Sequence, residues 1–135
     1  MVFMAATQAS DPSGFVDVLV TYDVGGRAVA WALAAALVAG EAVGGLGLLS
    51  TQIGRRRRGA DVALAVALLW SALGVQAFAR GLALESCGCF GVHLAQPLRW
   101  WVLLQDAEFV ALAVLSRRRA RRTPVPTPTV HAVEV

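Results

Sequence analysis

Three stretches of this chain stay apolar for about the thickness of a bilayer, and short polar or basic segments separate them. A hydrocarbon core of about 30 Å takes roughly 20 helical residues at about 1.5 Å each. The first stretch runs from 28 to 53. The second runs from 61 to 79, opened by Asp61 as an N-cap and closed by Arg80 and Gly81. The third runs from 98 to 116, after Pro97, and carries Gln105, Asp106 and Glu108 near its middle. The pattern predicts an all-α membrane protein, a small transmembrane helical bundle with three spans. Ahead of them "GFVDVLVTY" (14–22) is too short to span and is expected on the surface, within an extracytoplasmic segment of residues 1–27. The tail "TPVPTPTVHAVEV" has proline at every second position from 124 to 128 and is expected to be extended and disordered in the cytoplasm.

Composition sharpens this picture. Of 135 residues 57% are hydrophobic and the mean hydropathy is +0.62, more than a water-soluble domain of this size carries. All 12 basic residues are arginine, which together with the abundant alanine fits a GC-rich bacterial coding sequence. The first of them is Arg27, preceded by Asp11, Asp17 and Asp23, so no signal-peptide pattern opens the chain. The net charge of +3 is clumped and has no aromatic residues interleaved with it, which argues against nucleic acid as a partner.

The clumps set an orientation. Arg55 to Arg58 fill the first connection, and Arg117, Arg118, Arg119, Arg121 and Arg122 follow the third span; both belong in the cytoplasm. The expected location is the inner (plasma) membrane, with the loop at 85–97 outside and the C-terminus inside. Trp31, Trp100 and Trp101 then fall near the outer boundary, as an interfacial belt or as core packing.

That loop, "ESCGCFG" at 85–91, holds both cysteines. In an oxidising compartment Cys87 and Cys89 are the only candidates for each other. Residues two apart can meet the Cα separation of about 4.4–6.8 Å that a disulfide needs, helped by Gly88. The ring is small, and strained, exposed disulfides exchange readily. Two alternatives stand beside a redox pair: copper or zinc binding through Cys87, Cys89 and His93, and a pair of buried, inert thiols. Arg80 and Arg99 flank the loop, where they would either lower a thiol pKa or anchor the helices at the interface.

Ionisable groups inside a membrane are functional candidates by default. Glu41 lies near the middle of the first span and Asp106 and Glu108 near that of the third. Asp106 and Glu108 are about 200° apart around a helix and cannot face one partner. Glu41 and Asp106 serve either a proton relay or interhelical hydrogen bonds. A stripe of Ala32, Ala36, Gly40 and Gly44 would let a neighbouring helix approach closely.

The run "RGLALESCGCFG", a polar gap, and then "PLRWWVLLQDAEFVALAVL" resembles the MauE family of DoxX-like, redox-associated membrane proteins, whose hallmark is a Cys-Gly-Cys-Phe-Gly loop between the last two membrane helices. "GFVDVLVTY" is similar to the stretch after that family's first helix, and Glu41 in "AGEAVGGLGLL" to the acidic residue of its second. The resemblance covers about residues 14–116 and departs from the family in two ways: four helices are usual where three are visible here, and a basic residue is usual where Gln105 stands. It implies a redox role for Cys87 and Cys89, with Phe90 and Gly91 shaping the loop. The implied work is maturation of an exported protein, in the family's case the disulfide-rich small subunit of methylamine dehydrogenase. Thiol–disulfide oxidoreductase activity would follow from it. The expected partners are the lipid bilayer, the exported client or a thioredoxin-like protein, and further copies of the chain. No flavin, haem or quinone motif is visible, and no cofactor is expected. A metal-handling protein and a passive assembly subunit are the competing readings.

Overall fold

A computed structural model describes residues 1–94 and 96–122; the proline-rich tail expected to be extended lies outside the described residues. Five helices follow one another: α1 (Val2–Ser10), α2 (Pro12–Val20), α3 (Gly26–Leu49), α4 (Ile53–Ala79) and α5 (Trp100–Arg122), with no strand among the described residues. At about 1.5 Å per residue, the 24 residues of α3 rise about 36 Å and the 27 of α4 about 40 Å. Both are long and apolar enough to cross a membrane. Among the described residues α5 does not qualify, because Gln105, Asp106 and Glu108 and its arginine-rich end dilute it.

Antiparallel packing of α3 on α4 rests on small residues. A side chain at Gly44 would meet the Ala63 backbone at 3.1 Å, and one at Gly47 would meet the Gly59 Cα at 2.6 Å. The seam therefore runs through Gly40, Gly44 and Gly47, while Ala32 and Ala36, the other half of the expected stripe, are exposed. On the far side of α4 lies α5, antiparallel to it, where Gly74 gives room to Asp106 and Leu103.

The first 22 residues depart from the expected surface segment. α1 and α2 pack along α3 in the opposite direction, Met1 and Val2 beside Gly45 and Gln8 beside Glu41. Phe15, Val16 and Leu19 are fully buried and join Trp70 and Leu37 in the main core. Neither helix is long enough to span alone, which is what hid them. The break between them has a local cause: Pro12 offers no backbone donor, and Asp11 caps the new helix by accepting from Gly14 N at 2.9 Å.

Both arginine clusters lie at one end of the bundle. α4 starts at Ile53, earlier than expected, and takes Arg55 to Arg58 into its first turns. Arg57 Nε donates to Ala120 O at 3.0 Å, and Arg117 pairs with Asp61 at 2.5 Å. α5 runs on through the second cluster, whose cations suit a helix C-terminus. Trp31, Trp100 and Trp101 stand exposed toward the opposite end, a belt and not a core. Between the two ends Val43, Leu46, Leu68, Val75, Leu104 and Leu115 are all exposed. An apolar band of that kind faces lipid in a membrane protein.

Candidate functional site

The segment joining α4 to α5 is drawn closed at its neck, where Leu98 N donates to Leu84 O at 3.0 Å and Cys87 N to Gln96 O at 2.8 Å. Beyond the neck the chain turns tightly, Gly91 N donating to Gly88 O at 2.9 Å. Gly88 and Gly91 have φ of +77° and +62°, in the left-handed region where a Cβ is strained. Space is tight as well: a Cβ on Gly88 would lie 3.1 Å from Val18 Cγ1, and one on Gly91 3.2 Å from Thr7 O.

These contacts show that the loop folds back onto the bundle. It folds inward against α1 and α2, with Phe90 facing Phe3 at 6.1 Å between ring centroids. Cys87 is 2% exposed and Cys89 half-buried. Irregular backbone so placed must have its polar groups met by protein. Tyr22 Oη donates to Cys87 O at 2.7 Å, and Gln8 Nε2 donates to Cys89 O at 3.0 Å. Burial and the facing cysteines hold the Tyr22 phenol above its ordinary pKa, so it stays a donor.

Both thiols are free, and their Sγ atoms are 3.3 Å apart. The hydrogen bond they share lowers Cys87 to about 7 despite its burial. The same bond, with burial, pushes Cys89 up. The two thiols titrate as a pair, the first proton leaving more easily and the second held back, with the lowering on the Cys87 side. The expected cations do not cause this. Arg80 pairs with Asp23 at 2.5 Å, and the Arg99 guanidinium lies 5.1 Å from the centre of the Trp101 ring. His93 turns away as well, its Nε2 2.7 Å from Ser10 Oγ. Among the described residues no three of His, Cys, Asp and Glu converge as a metal site, so the grouping of Cys87, Cys89 and His93 is not formed.

Behind the sulfurs lie the buried carboxyls. Glu41 is fully buried; its Oε1 accepts from Trp70 Nε1 at 2.8 Å and from Gln8 Nε2 at 3.3 Å, which ties α3 to α4 and α1. Its Oε2 is buried with no hydrogen-bond partner among the described residues. Asp106 is buried on α5 while Glu108 is exposed, the divergence that their spacing dictates. Glu41, Asp106, Cys89 and Trp70 share the wall of one cavity of about 180 Å³, lined otherwise by apolar side chains and Ser116. α1 and α5 do not pack on each other among the described residues, and both line the cavity, Met4 from one and Phe109, Leu112 and Ala113 from the other.

Three residues at this site carried no motif: Gln8, Tyr22 and Trp70. Trp70 alone left a trace in the sequence, as a tryptophan in the middle of a span, far from the interface that residue favours. Comparison with known proteins gives one match, a family model described as methylamine utilisation protein MauE, over residues 1–117. No curated protein and no solved structure matches the chain.

Proposed function

Given that the chain belongs to the MauE family, we propose that it is a membrane accessory protein of methylamine utilisation whose Cys87 and Cys89 exchange disulfides during maturation of an exported protein. The observation that carries this reading is the 3.3 Å separation of two free sulfurs within one glycine-framed turn. A disulfide bond is about 2.0 Å long, so closure needs a shift of roughly 1.3 Å. In the exchange, a client thiolate attacks the Cys87–Cys89 bond, one sulfur leaves as thiolate, and a second client thiolate displaces the other. The client gains a disulfide and this protein becomes a dithiol; run backwards, the same steps open a client bond. A sulfur with a low pKa leaves more readily, and Cys87, lowered by its neighbour, is that sulfur. The arginine end lies in the cytoplasm in this reading and the neck of the cysteine loop opens on the other side, toward an exported client.

Thiol trapping in intact membranes tests the proposal. Acid quenching followed by alkylation should find the pair in both oxidised and reduced forms, and Cys87→Ser with Cys89→Ser should abolish maturation of the client. A pair that stays reduced under every oxidant, or a double variant that still supports maturation, refutes it. The methylamine dehydrogenase small subunit is the first client to try.

A further inference from the structure

A dithiol that has oxidised a client must pass two electrons on before it can act again, and the cavity beside Cys89 is placed for that step. We propose that the cleft between α1 and α5 binds a membrane quinone, which takes two electrons and two protons from the Cys87–Cys89 dithiol. This rests on the exchange reading above and gives it a direction: the protein oxidises its client.

Three features of the cavity select this ligand class. Its lining includes Phe109 and Leu112, both exposed on the apolar outer face of α5, so entry is from the lipid. Its walls are apolar, formed by Met4, Val66, Ala67 and Ala113. Its head is polar and reactive: Cys89 and Asp106 line it, with the buried Glu41 carboxyl in the same wall. A lipid-soluble molecule with a polar ring, an apolar tail and a capacity for two electrons and two protons is a quinone. The site is assembled from α1, α3, α4, α5 and the cysteine loop, so no contiguous motif marks it.

The chemistry balances without a further reactant. From the neutral dithiol, the Cys89 sulfur adds to the quinone ring, forming one S–C bond, and its proton passes to a ring oxygen. Cys87, deprotonated in turn, attacks the Cys89 sulfur; the S–S bond forms, the S–C bond breaks, and its electron pair stays on the ring. The two thiol protons end on the two ring oxygens. The dithiol is oxidised to a disulfide and the quinone is reduced to hydroquinone.

The test uses the full chain in lipid nanodiscs, reduced and freed of reductant. The oxidants are a benzoquinone bearing a decyl side chain and, in a parallel sample, a water-soluble peptide disulfide. One quinone should disappear per two thiols lost. Ala113→Phe, which fills the cavity, should slow quinone reduction at least tenfold and leave peptide exchange intact, while Ala107→Phe, on the exposed face of α5, should change neither. Should Ala113→Phe fail to fold, as lost peptide exchange would reveal, Ala67→Leu takes its place. Equal quinone rates in wild type and the filled variant would overturn the proposal, since the reaction would then not use the cavity. Closure by the peptide but not by the quinone would overturn it and leave the exchange reading standing. Closure by neither would refute both.

Discussion

Replacing Gly88 with alanine should loosen the cysteine loop and leave the bundle intact. The residue sits at φ +77°, and an L side chain there costs about 1–2 kcal/mol. The new methyl would also lie 3.1 Å from Val18 Cγ1 and 3.5 Å from both Phe15 and Trp70, and crowding in a packed core adds about 1–3 kcal/mol. Taking the low end of each, about 2 kcal/mol moves the equilibrium for local loop opening by roughly 30-fold, at 1.4 kcal/mol per tenfold. Cys87, almost wholly shielded in the closed loop, reports that opening directly. Its alkylation by a membrane-permeant maleimide, followed by mass spectrometry, should quicken about 30-fold in Gly88→Ala. Gly81→Ala separates the causes, because that residue has φ +68° but nothing within 4 Å of a Cβ, and it lies at the end of α4 outside the turn. It should leave Cys87 alkylation within about twofold of wild type. An unchanged rate in Gly88→Ala, or an equal rise in both variants, would refute the account of why this turn is closed.

Other perturbations probe the surroundings of the same loop. Tyr22→Phe strips the donor from Cys87 O, and a buried carbonyl left without one costs about 1–3 kcal/mol; Cys87 alkylation should rise about tenfold or more with the helices retained by circular dichroism. Trp70→Phe removes the 2.8 Å donor from Glu41 and should lower the detergent-unfolding midpoint by an equivalent of about 1–3 kcal/mol, more than Trp31→Phe at the exposed belt. For the reduced protein, Cys87 ionises near 7 when folded against its ordinary value near 9, so its ionisation adds stability between about pH 7 and 9 and that gain is lost as pH falls through about 7, while Cys89, pushed up by the same bond, takes it back above 9. Unfolding midpoints should therefore climb from pH ~6 to ~9. Cys89→Ala, which removes the hydrogen bond behind the shift, should flatten the climb; a slope that survives it places the cause elsewhere.

Much of the architecture is readable in the sequence because bilayer crossing imposes length and polarity on a helix. The stretches around α3, α4 and α5 stand out for that reason, and arginines ending two of them at one side foretell that Arg57 and Arg117 meet the partner helix there. The split of Asp106 and Glu108 follows from helical rotation alone. What stayed hidden was hidden physically. Two nine-residue helices broken at Asp11–Pro12 fall below the length that marks a span, although buried Phe15 and Leu19 make them part of the core. At the site, the Cys-Gly-Cys spacing was legible as a pair, yet its depth was not, since donors for the loop come from Gln8 and Tyr22, 81 and 65 residues away. Of the two roles open to Arg80 and Arg99, lowering a thiol pKa does not fit their partners, for a related reason. Nearness in sequence placed them beside the thiols, whereas Asp23 and the Trp101 ring claim them in space.

The break at Asp11–Pro12 has a mechanical consequence. On one side of it, Tyr22, Phe15 and Val18 grip the backbone at Cys87 and Gly88; on the other, Gln8 and Thr7 grip Cys89 and Gly91. Each sulfur is thus moored to a different rigid rod, and a single joint sets the angle between the rods. Any tilt there stretches or shortens the gap between the two sulfurs, so a force applied to the amino-terminal arm works as a lever on whether the pair can bond.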